Sequence, residues 1–202
     1  MSESRLVAFT DGVIAIIITV MVLEFQAPHE ASFNALWAMR HDFAIYLVSY
    51  LQLAVYWVNH HHLFQVVDNV SSSILWANIL ALLVMSFYPF ATAWMGENQL
   101  TALVPALFYG LVNLLANAAW LLLVQTLIND NRRQGHRAQL LIANRRKTAR
   151  SVVANICALA TAFIWPPLVI IVDVLTIGAW ALPDRRIERH LLRRNQSKNK
   201  EG

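Results

Sequence analysis

RLVAFTDGVIAIIITVMVLEF, residues Arg5 to Phe25, is long enough to cross a bilayer, since about 20 residues at ~1.5 Å rise cover an apolar core of ~30 Å. It is not uniformly apolar. Thr10 and Asp11 sit near one end, Thr19 in the outer half and Glu24 at the other end. At ~100° per residue, Arg5, Phe9, Gly12, Ile16, Thr19, Val20 and Leu23 fall on one stripe, with Asp11 more than a quarter-turn away. A helix that only anchors a chain in lipid needs neither a continuous stripe nor an acid aimed elsewhere. This segment therefore reads as the functional one.

Composition agrees with a membrane setting. The 202 residues are 57% hydrophobic and 14% charged, with a mean hydropathy of +0.47, too apolar for a typical soluble domain. The first segment is not a cleaved signal peptide: it has a single preceding Arg, an acid inside the apolar run and no small-x-small cleavage site. The one cysteine, Cys157, excludes an internal disulfide and reads as an inert buried thiol.

Five further apolar segments follow, at Phe43–Phe64, Ser73–Met95, Leu100–Ile128, Thr148–Trp165 and Leu168–Leu182. Most reach the ~18-residue length of a spanning helix. Pro166-Pro167 breaks the chain before the short last one, which reads as the second arm of a tight helical hairpin. A small segment is expected within Pro28–Arg40, with tight turns at Asp68 and Gly96–Gln99. The expectation is an all-α integral membrane protein with six transmembrane helices, a single domain over 1–194, and a disordered tail over 195–202.

Charge sets the orientation. Of sixteen Lys and Arg, seven lie within Asp130–Arg150, seven follow Leu182, Arg5 precedes the first helix, and Arg40 alone falls in a loop of opposite parity. Six helices put the termini and the 130–150 loop on the cytoplasmic side by the positive-inside rule, whereas five would strand one basic block outside. The basic runs then set topology and meet anionic lipid head groups, and nucleic-acid binding is unnecessary. Trp37, Trp94 and Trp165 fall at the outer interface and Trp76 and Trp180 at the inner one, as an aromatic belt requires. Trp57 and Trp120 lie deeper, as packing or hydrogen-bonding residues.

Polar groups at membrane depth need a partner or a wet cavity. This topology brings Asp11, Trp57, Asn59, His60, His61, His62 and Asn78 to similar depth on the first three helices. They admit three readings: a structural clasp behind the striped helix, a proton relay, or a metal site. Three consecutive histidines point ~100° apart and lack the i,i+4 spacing that puts two ligands on one face, which weakens the metal reading. Asp173 in the last segment has no evident partner.

Arg5, then Phe9-Thr10-Asp11, then Gly12-Val13-Ile14-Ala15-Ile16, resembles the Arg-x-x-x-Phe-Ser-Asp signature of the endosomal/lysosomal potassium channel family (transmembrane protein 175), in its prokaryotic members. Trp57-x-x-His60 followed by Leu63-Phe64, and Asn78 with the downstream Pro89, carry the resemblance into the second and third helices. Thr10 stands where the family usually has Ser, keeping the hydroxyl, and His62 where an Arg is common. The resemblance implies a homotetramer whose first helices line a central pore without a carbonyl filter. Ile16 would then form the constriction, with Thr19, Val20 and Leu23 continuing the lining. Arg5, Phe9, Asp11, Trp57, His60 and Asn78 would hold that helix from behind.

The resulting expectation is a moderately potassium-selective cation channel of a prokaryotic plasma membrane. It is not an enzyme, and it uses no cofactor or metal beyond permeant potassium. The alternative is a proton-coupled secondary transporter using Asp11 and His60 or His61, although no half-to-half symmetry supports it.

Overall fold

The computed structural model describes residues 3–65, 67, 70–130 and 135–181. Among them are the helices α1 (Glu3–Leu23), α2 (Phe33–Ala38), α3 (Arg40–Phe64), α4 (Ser72–Met85), α5 (Tyr88–Glu97), α6 (Leu103–Asp130), α7 (Gly135–Ala162) and α8 (Leu168–Ala181). Three helical stretches are by themselves long and apolar enough to cross a membrane: Glu3–Leu23, Ser72–Glu97 and Leu103–Asp130. The tail over 195–202, the basic residues after Leu182 and the Asp68 turn lie outside the described residues.

Local chemistry explains the boundaries. Ser71 caps α4, its hydroxyl accepting from the Ile74 N–H at 3.3 Å, and Ser32 caps α2 by accepting from Ala35 N–H at 3.1 Å. The small element expected within Pro28–Arg40 is α2. The third apolar segment is two helices rather than one, α4 and α5, joined through Ser86 and Phe87. Pro89 has no N–H to give the preceding turn, so it sits in the first turn of a new helix, where none is needed. Beyond α5, Gln99 and Leu100 both adopt positive φ, 56° and 65°, reversing the chain into α6.

The fifth segment is also longer than hydropathy implies, starting at Gly135 rather than Thr148. The 130–150 loop is thus largely helix: its Ala, Leu, Gln and Arg residues favour helix, and Leu141 and Thr148 are buried along it. Arg145 donates to Gln125 Oε1 at 3.1 Å and Trp120 Nε1 to Asn144 Oδ1 at 3.0 Å, tying this extension to α6. Trp165 N–H closes onto Thr161 O at 3.1 Å. The chain then turns through Pro166-Pro167 so that α8 packs back on α7, as a hairpin. Cys157 corrects the sequence reading. It is exposed on the protein surface of α7, because that helix turns an apolar face outward as well as inward, with Ile156 and Val153 exposed beside it.

α6 is the centre of the bundle, packed by α4, α5, α7 and α8, while α1 rests on α3, α4 and α5. At Gly110 the absence of a side chain is required: a Cβ there would stand 2.9 Å from Leu159 and 3.0 Å from Val169, so α6, α7 and α8 meet on bare backbone. Coverage separates the helices. Only 28% of the most apolar stretch of α1 is buried, against 56% for α6. Of the three long apolar stretches, the one with the highest hydropathy is the one its own subunit covers least.

Candidate functional site

α1 has two faces. Leu6, Thr10, Ile14, Ile17 and Met21 are buried, at the three- and four-residue spacing that lines one side of a helix. Opposite them Ile16 is 63% exposed and Leu23 78%. Arg5, Phe9, Gly12 and Thr19 are exposed with them, and Val20 is half-buried at the margin. A Cβ on Gly12 would meet nothing within 4 Å. Thr19 Oγ1 donates to the Ile16 carbonyl at 2.8 Å, so its hydroxyl is partnered by its own helix and its oxygen stays on the outer face. The stripe read from the sequence is the uncovered face.

Behind it, polar contacts hold α1 in two arms. Trp57 Nε1 donates to Asp11 Oδ1 at 2.8 Å. Asn78 Nδ2 donates to Thr10 Oγ1 at 2.8 Å, which leaves Asn78 Oδ1 to face His60 Nε2 at 3.0 Å and requires Nε2 to carry the proton. Thr10, His60 and Asn78 are all fully buried. The His60 ring packs between Phe64, at 4.5 Å, and Tyr56, at 6.0 Å between centroids. α3 and α4 thereby grip α1 from one side, near its N-terminal end.

The sequence points to Asp11, His60, Asn78 and an indole in one cluster. In the structure Asp11 and His60 are each held by a different partner, and Thr10 is the residue that joins α1 to Asn78. Its signal is present in the sequence, as a hydroxyl at membrane depth one residue before the acid. The other histidines part company from His60. His61 pairs with Gln65 at 2.8 Å and stacks on Trp57, and both His61 and His62 are exposed. Among the described residues no group of three or more His, Cys, Asp or Glu is placed to hold a metal ion.

Sequence reading misses a second polar cluster, towards the other end of the bundle. Thr92 lies 2.8 Å from Ser49, Ser49 lies 3.0 Å from the Tyr109 hydroxyl, and Tyr109 donates to Asp173 Oδ2 at 3.3 Å. Asp173 thus has the partner its sequence does not reveal, contributed by a helix more than sixty residues away.

Four similarities bear on what such a helix does. A family profile described as endosomal/lysosomal potassium channel TMEM175 matches residues 5–89, the stretch holding α1, the clasp and Pro89. A potassium channel of Chryseobacterium sp. (strain P1-3) is 38% identical over 193 residues, 95% of this chain and 98% of that one. One from Streptomyces collinus is 38% identical over 102 residues, 48% of this chain and 50% of its own length. The crystal structure of a lysosomal potassium-selective channel TMEM175 homolog from Chamaesiphon minutus superposes with a TM-score of 0.80 at 26% identity, covering 89% of this chain and 96% of that one.

Proposed function

The chain belongs to the TMEM175 channel family, and we propose that it is a moderately potassium-selective cation channel of a prokaryotic plasma membrane, built as a homotetramer around α1. The carrying observation is the division of α1. One face is fixed to its own subunit by buried polar contacts, and the other, from Phe9 through Ile16 to Leu23, is left for a surface the single chain does not supply. Lipid alone accounts for an apolar face but not for a helix pinned in rotation by Thr10 and Asp11. Four such faces about an axis give a lined pore. Two bacterial relatives named as potassium channels, and a homologous crystal structure described as potassium-selective, support potassium as the permeant ion.

In this reading α1, α3, the α4–α5 pair, α6, α7 and α8 supply six spans, residues 1–194 act as one domain, and both termini are cytoplasmic. The basic α7 extension meets anionic head groups. Ile16 from four subunits forms the constriction, with Thr19, Val20 and Leu23 above it. A narrow apolar ring closes by dewetting, because an ion can enter it only by giving up water. The larger potassium ion loses its hydration more cheaply than sodium, which accounts for moderate selectivity. Arg5, Phe9, Asp11, Trp57, His60 and Asn78 set the angle at which Ile16 is presented. The division of Asp11 and His60 between separate partners gives a coupled-transport reading no support.

Replacing Ile16 tests this directly. In proteoliposomes driven by an outward potassium gradient, Ile16→Asn is expected to raise flux and weaken discrimination against sodium. Unchanged flux and selectivity would remove Ile16 from the constriction.

A further inference from the structure

The last two helices are short for the membrane they enter. α8 has 14 residues, Leu168–Ala181, a length of about 21 Å against an apolar core of ~30 Å. The other arm is no longer. The last charged residue of α7 is Arg150, and Ala162 ends the helix twelve residues further on, ~18 Å away. Arg145, Arg146 and Arg150 are exposed on α7 and hold that end at the inner head groups. Between Arg150 and Asp184 the one charged residue is Asp173, which is buried and bonded to Tyr109. Neither α7 nor α8 is among the stretches long and apolar enough to cross a membrane alone.

Register fixes how far out the pair reaches. A Cβ on Gly110 of α6 would touch both Leu159 of α7 and Val169 of α8, so the three share one level. Ten residues further along α6, Trp120 meets Trp180 of α8 edge to face, with centroids 6.5 Å apart. α6 and α8 therefore run side by side in the same direction. Gly110 is seven residues inside the start of α6 at Leu103, a depth of ~10 Å. Val169 is the second residue of α8, only ~5 Å from the turn at Pro166-Pro167. The turn thus stops about one helical turn, ~5 Å, short of the outer end of α6.

The chemistry of the turn suits that depth. Phe163, Ile164 and Trp165 are all exposed, Ile164 by 83%. Between Thr161 and Asp173 the Trp165 indole is the one polar side-chain group, and the Thr161 hydroxyl donates to the Ala158 carbonyl at 3.0 Å. Every backbone N–H from Ile164 to Ile171 is bonded within the turn. Ile164 and Trp165 donate to Thr161, Leu168 to Trp165, Val169 to Pro166, and Ile170 and Ile171 to Pro167. The two prolines have no N–H to satisfy. A turn in water does not need such self-sufficiency; one among acyl chains does.

We propose that the α7–α8 hairpin turns within the outer leaflet instead of emerging from it, and that its apex is a contact for outer-leaflet lipid. Acyl chains cover Phe163 and Ile164, and the Trp165 indole meets the ester groups above them, an apolar body with a polar edge at the boundary. This rests on the six-helix reading given above and deepens it. The fifth and sixth spans cross the inner leaflet and stop inside the outer one, which leaves both termini on the same side. Two observations favour lipid as the occupant. The apex continues an outward face of α7 on which Val153, Ile156, Cys157 and Ala160 are already exposed. A second copy of the chain would call for a surface complementary in shape, not for a turn that spends all its own donors.

The test places a nitroxide label on the full chain in proteoliposomes, on a Cys157→Ser background. Ile164→Cys carries it at the apex, with Phe163→Cys as a second apex site should the first fail to assemble. Val153→Cys, exposed on α7, and Thr101→Cys, exposed in the turn between α5 and α6, are the references for lipid and for water. Power saturation then compares oxygen, which partitions into acyl chains, with a water-soluble nickel chelate. The apex is expected to match Val153, its ratio of oxygen to nickel accessibility several-fold above that at Thr101. A ratio as low as at Thr101 would mean that the hairpin emerges into water, and would overturn the proposal with the six-helix reading intact. Low accessibility to both reagents would give the apex to a second copy of the chain and overturn it equally. A Thr101 label sheltered from the nickel chelate would overturn the six-helix reading itself, and the proposal with it.

Discussion

Asn78→Leu removes the residue that joins α1, α3 and α4. Asn78 is fully buried, donating to Thr10 at 2.8 Å and facing His60 at 3.0 Å. Leu keeps the same branched skeleton of heavy atoms, so the loss reckoned here is polar. Interhelical hydrogen bonds in membranes contribute ~0.6 kcal/mol on average. Thr10 can turn its hydrogen to the carbonyl one turn back, so little is lost there. His60 has no such escape: its Nε2–H is left buried and unpaired, at ~1–3 kcal/mol. The total is about 2 kcal/mol per chain, and for a chain of this size ~2–4 °C per kcal/mol lowers Tm by about 4–8 °C. The assay is thermal unfolding of the purified oligomer, beside Thr10→Val and the double variant. Since both singles break the same Thr10–Asn78 bond, the double should fall short of their sum. A Tm for Asn78→Leu within about 1 °C of wild type would be incompatible with an orphaned His60, and additive losses with a shared Thr10–Asn78 bond.

Asp11→Ala deletes the acceptor of the Trp57 indole, a charge-assisted bond worth ~1–2 kcal/mol at this half-covered position. It should lower oligomer yield and Tm more than it alters ion selectivity in flux assays. Gly110→Ala forces a Cβ against Leu159 and Val169, and overpacking of this kind costs about 1–3 kcal/mol. Thermal unfolding should show it less stable than wild type, whereas Gly12→Ala, with nothing within 4 Å in its own subunit, should leave chain folding intact.

Much of this arrangement is legible in the amino-acid order, for identifiable reasons. The two faces of α1 follow from ~3.6-residue periodicity, which depends on nothing outside the segment. The hairpin at Pro166-Pro167 is likewise local. The break between α4 and α5 is harder to see: Pro89 announces it, but continuous hydropathy conceals it. The early start of α7 is hidden for the opposite reason, since Arg and Lys depress hydropathy without opposing helix formation. Cys157 shows that an apolar neighbourhood in sequence does not distinguish a protein interior from a lipid-facing surface. Hydrogen-bond partners are the least legible. As a replacement for Ser, Thr10 looks neutral, yet it is the acceptor that anchors α1. Asp173 has no partner visible in the sequence because Tyr109 comes to it only when α6 and α8 pack.

Whether the uncovered face of α1 lines the conduction path can be decided by cysteine accessibility under potassium flux. On a Cys157→Ser background, needed because Cys157 is exposed, single cysteines replace Ile16, Thr19 and Leu23 on one face and Ile14 and Ile17 on the other. A cationic thiol reagent is then added during flux through proteoliposomes. A pore lined by that face requires that flux fall for Ile16→Cys, Thr19→Cys and Leu23→Cys and stay unchanged for Ile14→Cys and Ile17→Cys. Block confined to the buried face, or no block at any position, would mean that ions pass elsewhere.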